Sequence, residues 1–289
     1  MSALANFARA VFWLLLVGLV LWQVSGSGSS SLERQRTSAL SALESERKSR
    51  VIAIVERAES ASVFGVPVQQ SIGIDDSEAV LRAIRFTPTD QPLDIVLHTP
   101  GGLVLAAEQI ARALLERKGK VTVFVPHYAM SGGTLIALAA DEIVMDANAV
   151  LGPVDPQIAD MPAASIVHAV EQKGAQQVDD ETLIIADVAR KARTQVTGFV
   201  TEILAKHMDA KRSLEVATAL SEGRWTHDYP ITVKAARAFG LTVSTDMPRS
   251  VYDLMDLYPQ SGGSRPSVWY VPMRRAAPQA PAAQEKPKP

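Results

Sequence analysis

The sequence predicts an α/β domain built on a mostly parallel sheet and preceded by a transmembrane helix. Three observations predict it. Short β-rich runs alternate with helix-spaced stretches through brief connections, the pattern of a parallel sheet covered by helices. Two glycine-rich turns, at 100–102 and 130–133, each follow a strand candidate and precede a helix. The chain also begins with an uncharged apolar run.

Composition narrows the function classes. Of the 289 residues, 47% are hydrophobic, enough for a sizeable core, and the formal net charge is −2. That charge gives no electrostatic footprint for nucleic acid and no pull toward anionic lipid. The chain has no cysteine, so disulfides, thiolate zinc sites and cysteine nucleophiles are excluded. The five histidines lack metal-ligand spacing, and no H-E-x-x-H is present, so no metal is expected. No cofactor fingerprint is present either.

The elements follow in order. Ala10 to Val24 holds one strongly polar side chain, Gln23, and extends uncharged to Ser27. That approaches the ~20 residues a bilayer requires, with Trp13 and Trp22 as interfacial aromatics. Residues 1–27 are therefore expected to be a retained anchor. A cleaved signal peptide is the rival, with only Arg9 as its positive region and Val-Ser-Gly at 24–26 as a substitute cleavage site. Arg34 and Arg36 after the run outweigh Arg9 before it, which points the following domain to the cytoplasm. Residues 28–50 read as a linker leading into a charged stalk helix or packing arm.

The domain expected over 51–260 opens with the strand candidate Val51–Val55. Ser77–Arg85 has helical spacing after Asp75 and Asp76. Leu93–Leu97 is a buried strand candidate, ended by His98-Thr99-Pro100-Gly101-Gly102. Leu103–Arg117 carries apolar residues at 103, 107, 110, 111 and 114, a helix stripe. Val121–Val125 is the next strand. Ser131–Ala140 is apolar nearly all round and reads as a buried helix. Ile143–Met145 is a short strand, and Val150–Ile158 a turn-rich stretch. Asp180–His207 is a long helix with Asp179, Asp180 and Glu181 at its positive end. Leu214–Leu220 and Val233–Phe239 are shorter helices. Residues 261–289 have the Pro- and Ala-rich composition of a disordered tail.

Ligands of such sheets bind beyond the carboxyl ends of the strands, where both glycine turns should sit. A serine opening a buried helix has the helix dipole and unpaired N–H groups beside it. An oxyanion forming there would be stabilised. The bland alternative is a helix-capping serine. The second turn favours chemistry, because two glycines let the backbone approach a substrate. Gly102 N–H could supply one oxyanion donor and Gly132 N–H the other. A phosphate-binding reading is weaker, since neither turn has a nucleotide-binding glycine pattern.

Asp94 to Pro156 resembles the core of the Clp protease proteolytic subunit, signal-peptide peptidase A and the crotonases. The resemblance rests on Thr-Pro-Gly-Gly at 99–102, Ala-Met-Ser-Gly-Gly at 129–133, Ala-Ala-Asp-Glu-Ile at 139–143 and Gly152-Pro153. Over about residues 50–260, including Trp225-Thr226-His227-Asp228-Tyr229-Pro230, the chain looks like the serine dehydrogenase proteinase family, membrane-bound Clp-class serine peptidases. The resemblance implies a repeated β-β-α superhelix, Ser131 as nucleophile, a homo-oligomer, and a peptide or membrane-protein substrate.

The general base departs from the Clp pattern. Clp proteases place a histidine about 25 residues after the serine, where this chain has Asp155. Signal-peptide peptidases use a lysine, which makes Lys191 and Lys173 candidates. On the long helix Lys191 shares a face with Ile184, Val188, Gln195 and Phe199, so it is expected to point inward. Desolvation there would lower its pKa and let it act as a base. Lys173 sits in a polar, loop-like stretch. Asp155 is given a supporting role. His98 and His127 end adjacent strands and either line the site or hold its turns. The expected enzyme is a Ser131–Lys191 peptidase. An inactive anchored scaffold and a crotonase-type acyl-CoA enzyme are the alternatives.

Overall fold

The computed structural model describes residues 11–16, 29–56, 61–63, 66–68 and 71–258. The first described elements are a helical stretch at 11–16 and helix α1 (Ser29–Arg47), followed by strands β1 (Arg50–Val55), β2 (Ala61–Val63) and β3 (Val66–Val68). Helix α2 (Ile74–Arg85), β4 (Leu93–His98), α3 (Val104–Leu115), β5 (Val121–Val125), β6 (Tyr128–Ala129) and α4 (Gly132–Leu138) come next. They lead into β7 (Glu142–Met145), β8 (Val150–Leu151), β9 (Gln157–Ile158), β10 (Met161–Pro162), α5 (Ala163–Lys173) and α6 (Asp180–Leu204). Helix α7 (Ala210–Ser221), β11 (Ile231–Thr232), α8 (Val233–Ala238), β12 (Val243–Ser244) and α9 (Arg249–Met255) complete the order.

The main sheet runs β1-β4-β5-β7-β12, and every neighbouring pair is parallel. Side-chain alternation explains why these runs read as continuously apolar. Leu93, Ile95 and Leu97 of β4 join one core cluster while Val96 joins another, and β5 divides in the same way around Phe124. The larger cluster takes in α3, α4 and residues of α6, α7 and α8. The smaller one is closed by Leu43 of α1 with Val251, Leu254 and Met255 of α9. Each such side chain removed from water contributes ~1.5–3 kcal/mol.

A second, short sheet lies beyond the carboxyl ends of the main strands, in the order β11-β8-β6. β6 follows β5 and leads into α4, which makes a β-β-α unit. The preceding unit has the same course, with an isolated bridge from Thr99 to Ala129 in place of its second strand.

Helix ends follow their local chemistry. Gly73 N–H donates to the Asp76 carboxylate at 2.8 Å and opens α2, and the Asp179 carboxylate accepts from Thr182 N at 2.8 Å and opens α6.

Several expectations change. Among the described residues no helix is long and apolar enough to cross a membrane. The anchor expected over 1–27 lies largely outside the described residues, as does the tail over 261–289. The C-terminal half of α1 lies against the sheet, with Leu43 buried and Arg47 Nε donating to Asp94 at 2.9 Å. Helix α4, with Ser131 at its N-cap position, has seven residues, where ten were expected over 131–140. Helix α5 runs through Lys173, so all but the last residue of the loop-like stretch at 171–174 is helical. β12 at the sheet edge and α9 had no clear sequence signal, being a two-residue strand and a helix of two turns.

Candidate active site

The two glycine turns meet at the carboxyl end of the sheet. Thr99 N donates to Tyr128 O at 3.2 Å, and Met130 N donates to Thr99 O at 3.0 Å. These bonds lay one turn along the other. The approach leaves no room for side chains on the first. A Cβ on Gly101 would fall 2.8 Å from Ser131 Cβ, and one on Gly102 would fall 2.3 Å from Ile72 O. Gly101 also has φ +116°, which L side chains rarely adopt. A Cβ on Gly132 would lie 3.5 Å from Gly102 N, so both amides border one small space. Among the described residues neither amide donates a hydrogen bond.

Ser131 sits between them with φ 49° and ψ −116°, a sparsely populated conformation for a residue with a side chain. It occupies the N-cap position of α4, yet its side chain makes no capping hydrogen bond. The hydroxyl is therefore not spent on its own helix. Since α4 is short, anion stabilisation rests on the two amides more than on a long helix dipole.

A cavity of about 170 Å³ opens on Ser131. Gly102, Gly132, Asp155, Gln157 and His227 line it together with Val104, Leu135, Val154 and Val196. Asp155 comes from the buried loop after β8. Thr134 Oγ1 donates to Gly152 O at 2.9 Å and accepts Gly152 N–H at 3.0 Å, and Val154 N donates to Leu220 O at 2.9 Å. These bonds tie that loop to the nucleophile helix and to α7. The Asp155 carboxylate is 1% exposed, and its Oδ1 lies 2.8 Å from His227 Nδ1. Its Oδ2 accepts from Gln157 Nε2 at 2.7 Å. His227 Nδ1 also lies 3.3 Å from Gln157 Nε2, and among the described residues Nε2 of His227 is the ring nitrogen without a hydrogen bond. His227 stands in a turn closed by Tyr229 N donating to Thr226 O at 3.0 Å, with Trp225 and Tyr229 stacked 5.0 Å apart.

The structure thus brings together Ser131, Gly102, Gly132 and Asp155 from the sequence reading and adds His227. It does not bring Lys191. The Lys191 side chain is 68% exposed and its Nζ donates to Asp187 at 2.5 Å, one turn back on α6. Its neighbours Ile184 and Val188 are 65% and 44% exposed, so that apolar stripe faces outward and cannot desolvate the lysine. Val196 is the α6 residue that lines the cavity. Lys173 is exposed at the end of α5. His98 is buried against His127 and Tyr128, with ring centroids 5.5 and 4.2 Å away, and supports the turns from behind. His227 was passed over because only its tertiary partner marks it out. Its available signal was membership of the Trp225–Pro230 motif.

Comparison with known proteins places the chain among relatives. The sequence model of the ClpP-like SDH-type serine proteinases matches residues 1–286. An uncharacterized protein of Methanocaldococcus jannaschii is 51% identical over 94% of this chain and 95% of its own length. A second from the same organism is 53% identical over 83% of this chain and 82% of its own. Among solved structures, a mutant of 1510-N, a membrane-bound stomatin-specific protease, is 18% identical with a TM-score of 0.42. It covers 65% of this chain and 79% of its own.

Proposed function

Because the chain belongs to the ClpP-like SDH-type serine proteinase family, we propose that it is a peptidase in which Ser131 is the nucleophile and His227 its base. The observation that carries this reading is the shared cavity. It places a strained, uncapped serine, two undonated amides and a carboxylate-held imidazole around one space.

The steps follow from that arrangement. The Ser131 hydroxyl attacks the peptide carbonyl as its proton passes to the free nitrogen of His227. Negative charge gathers on the former carbonyl oxygen, and the Gly102 and Gly132 N–H groups donate to it. The imidazolium is stabilised by the Asp155 carboxylate. His227 then protonates the leaving amine, the C–N bond breaks and an acyl-enzyme remains. Water repeats the sequence, giving its proton to His227, and Ser131 is regenerated.

Asp155 thus has the supporting role, toward a histidine instead of a lysine. The Ser131–Lys191 dyad is not carried forward, given the exposure of Lys191 and its pairing with Asp187. The proposal extends to placement. The uncharged composition of residues 10–24 supports an N-terminal membrane anchor, with the domain over 51–260 in the cytoplasm and acting on a peptide or membrane-protein substrate. Membership of a ClpP-like family supports a homo-oligomer.

The test is labelling by a fluorophosphonate probe, together with peptide hydrolysis. Both are expected in the native protein and absent in Ser131→Ala. Undiminished labelling of Ser131→Ala means that the nucleophile lies elsewhere.

A further inference from the structure

The oxyanion turn has a buried carboxylate behind it that the proposed chemistry does not use. We propose that Glu56 is a positioning residue of the active site. Its carboxylate fixes the Thr99 hydroxyl and, through it, the peptide plane that presents the Gly102 amide. This rests on the oxyanion reading given above.

Glu56 follows β1 and is 7% exposed. Its backbone N–H donates to His98 O at 2.8 Å, which fixes it beside the root of the turn. Its Oε2 accepts the Thr99 hydroxyl at 2.5 Å. Thr99 is itself fully buried, and its Oγ1 accepts the Gly101 N–H at 3.0 Å. Through its own N and O, Thr99 also holds Tyr128 and Met130 of the nucleophile turn. One residue therefore fastens both turns, its side chain holding Gly101 and its backbone holding Tyr128 and Met130.

The hydroxyl has a single proton and two acceptors in reach. Gly101 O lies 3.1 Å from Thr99 Oγ1. In its ionised form the Glu56 carboxyl accepts only, so the proton goes to Glu56 and the Oγ1 lone pairs stay free for Gly101 N–H. Without that acceptor the proton turns to Gly101 O. The Gly101 carbonyl and the Gly102 N–H belong to one planar trans peptide and point in opposite directions. A pull on the carbonyl swings the amide. Gly101 O is already held by Ile72 N at 2.8 Å, and the second bond competes with that orientation.

Placing a carboxylate here carries a cost. Burial pushes Glu56 up to about 7, against the opposing hydrogen bond from Thr99, and Asp76 of α2 adds to the rise. Tyr258 lines the same side. An apolar residue would fill the position more cheaply, and what the carboxylate adds there is an acceptor oxygen.

Four variants test this by kcat, KM and fluorophosphonate labelling rate: Glu56→Leu, Glu56→Gln, Thr99→Val and the double Glu56→Leu/Thr99→Val. Glu56→Leu and Thr99→Val are expected to lose tenfold or more in kcat and labelling, with KM within twofold. Glu56→Gln, which keeps an acceptor oxygen, is expected to stay within threefold of native. The double variant is expected to be no worse than the worse single, because both act through one hydroxyl. A native rate in Glu56→Leu, or losses that multiply in the double, overturns the proposal while leaving the peptidase reading intact. Should Glu56→Leu fail to fold, Thr99→Val against Thr99→Ser decides it, and equal rates in those two overturn it. A native protein inert to the probe overturns the peptidase reading and this proposal with it.

Discussion

His227 Nδ1 lies 2.8 Å from Asp155 Oδ1, a contact made across 72 residues of sequence. The carboxylate is 1% exposed and the imidazole about one-third exposed. A buried carboxylate holding an imidazole that lines the same cavity as a serine fits the proposed proton transfer. His227→Ala is expected to lower the fluorophosphonate labelling rate by at least ~10³, and Asp155→Asn, which alters the ring tautomer, by about 10³–10⁴. Lys191→Ala should stay within about twofold of native, because an exposed i,i+4 pair contributes little. A large loss in Lys191→Ala with native behaviour in His227→Ala would reverse the assignment.

The Pro-Gly-Gly corner tolerates no side chain. Gly101→Ala places a Cβ 2.8 Å from Ser131 Cβ at a backbone φ of +116°. Strain of about 1–3 kcal/mol is expected in the melting curve. Labelling should fall roughly 10²-fold or more, the scale of losing one oxyanion donor. Near-native kcat in this variant would show that the corner lies outside the reaction.

Glu56 makes stability depend on pH with a definite sign. Its folded-state pKa of about 7 exceeds the ordinary 4.5. Between those values the folded protein binds more protons than the unfolded chain, so this carboxyl reduces stability as pH rises through the window. Glu56→Gln removes that dependence. Its melting temperature is expected to gain on the native protein from pH 4.5 to pH 8, by roughly 2–4 °C for each kcal/mol involved. Parallel melting curves across that range contradict it.

The main strands and the two turns were legible because local physics dictates them. β4 and β5 are buried on both faces, so their apolar runs are uninterrupted except at Asp94, Thr122 and His98. The proposed nucleophile turn was legible from Ser-Gly-Gly at the head of an apolar helix. The proposed base was not. An apolar stripe on a helix signals burial only when something covers it, and Ile184 and Val188 lie on an open face of α6. His227 stands in a turn after α7, where no periodicity applies and only tertiary contact with Asp155 gives it meaning. Helix α5 was missed because its Glu171-Gln172-Lys173-Gly174 end reads as loop, although Gly174 with φ 85° is an ordinary helix stop.

Asp94 is the polar exception on β4, 1% exposed and bound by Arg47 Nε at 2.9 Å and Ser49 Oγ at 2.8 Å. It fastens α1 to the sheet. Asp94→Ala is expected to cost about 2–3 kcal/mol, toward the lower end for a broken buried pair because Arg47 can reach water. Protease sensitivity of residues 31–47 should rise in parallel. Unchanged denaturant midpoints would mean that α1 is held by its apolar contacts alone.

The most direct measurement is peptide mapping after treatment with a peptidyl chloromethyl ketone, which is attacked by a serine and alkylates the histidine that serves it. The account predicts a covalent bridge between Ser131 and His227. An adduct on Lys191, or on Ser131 with another base, would contradict it.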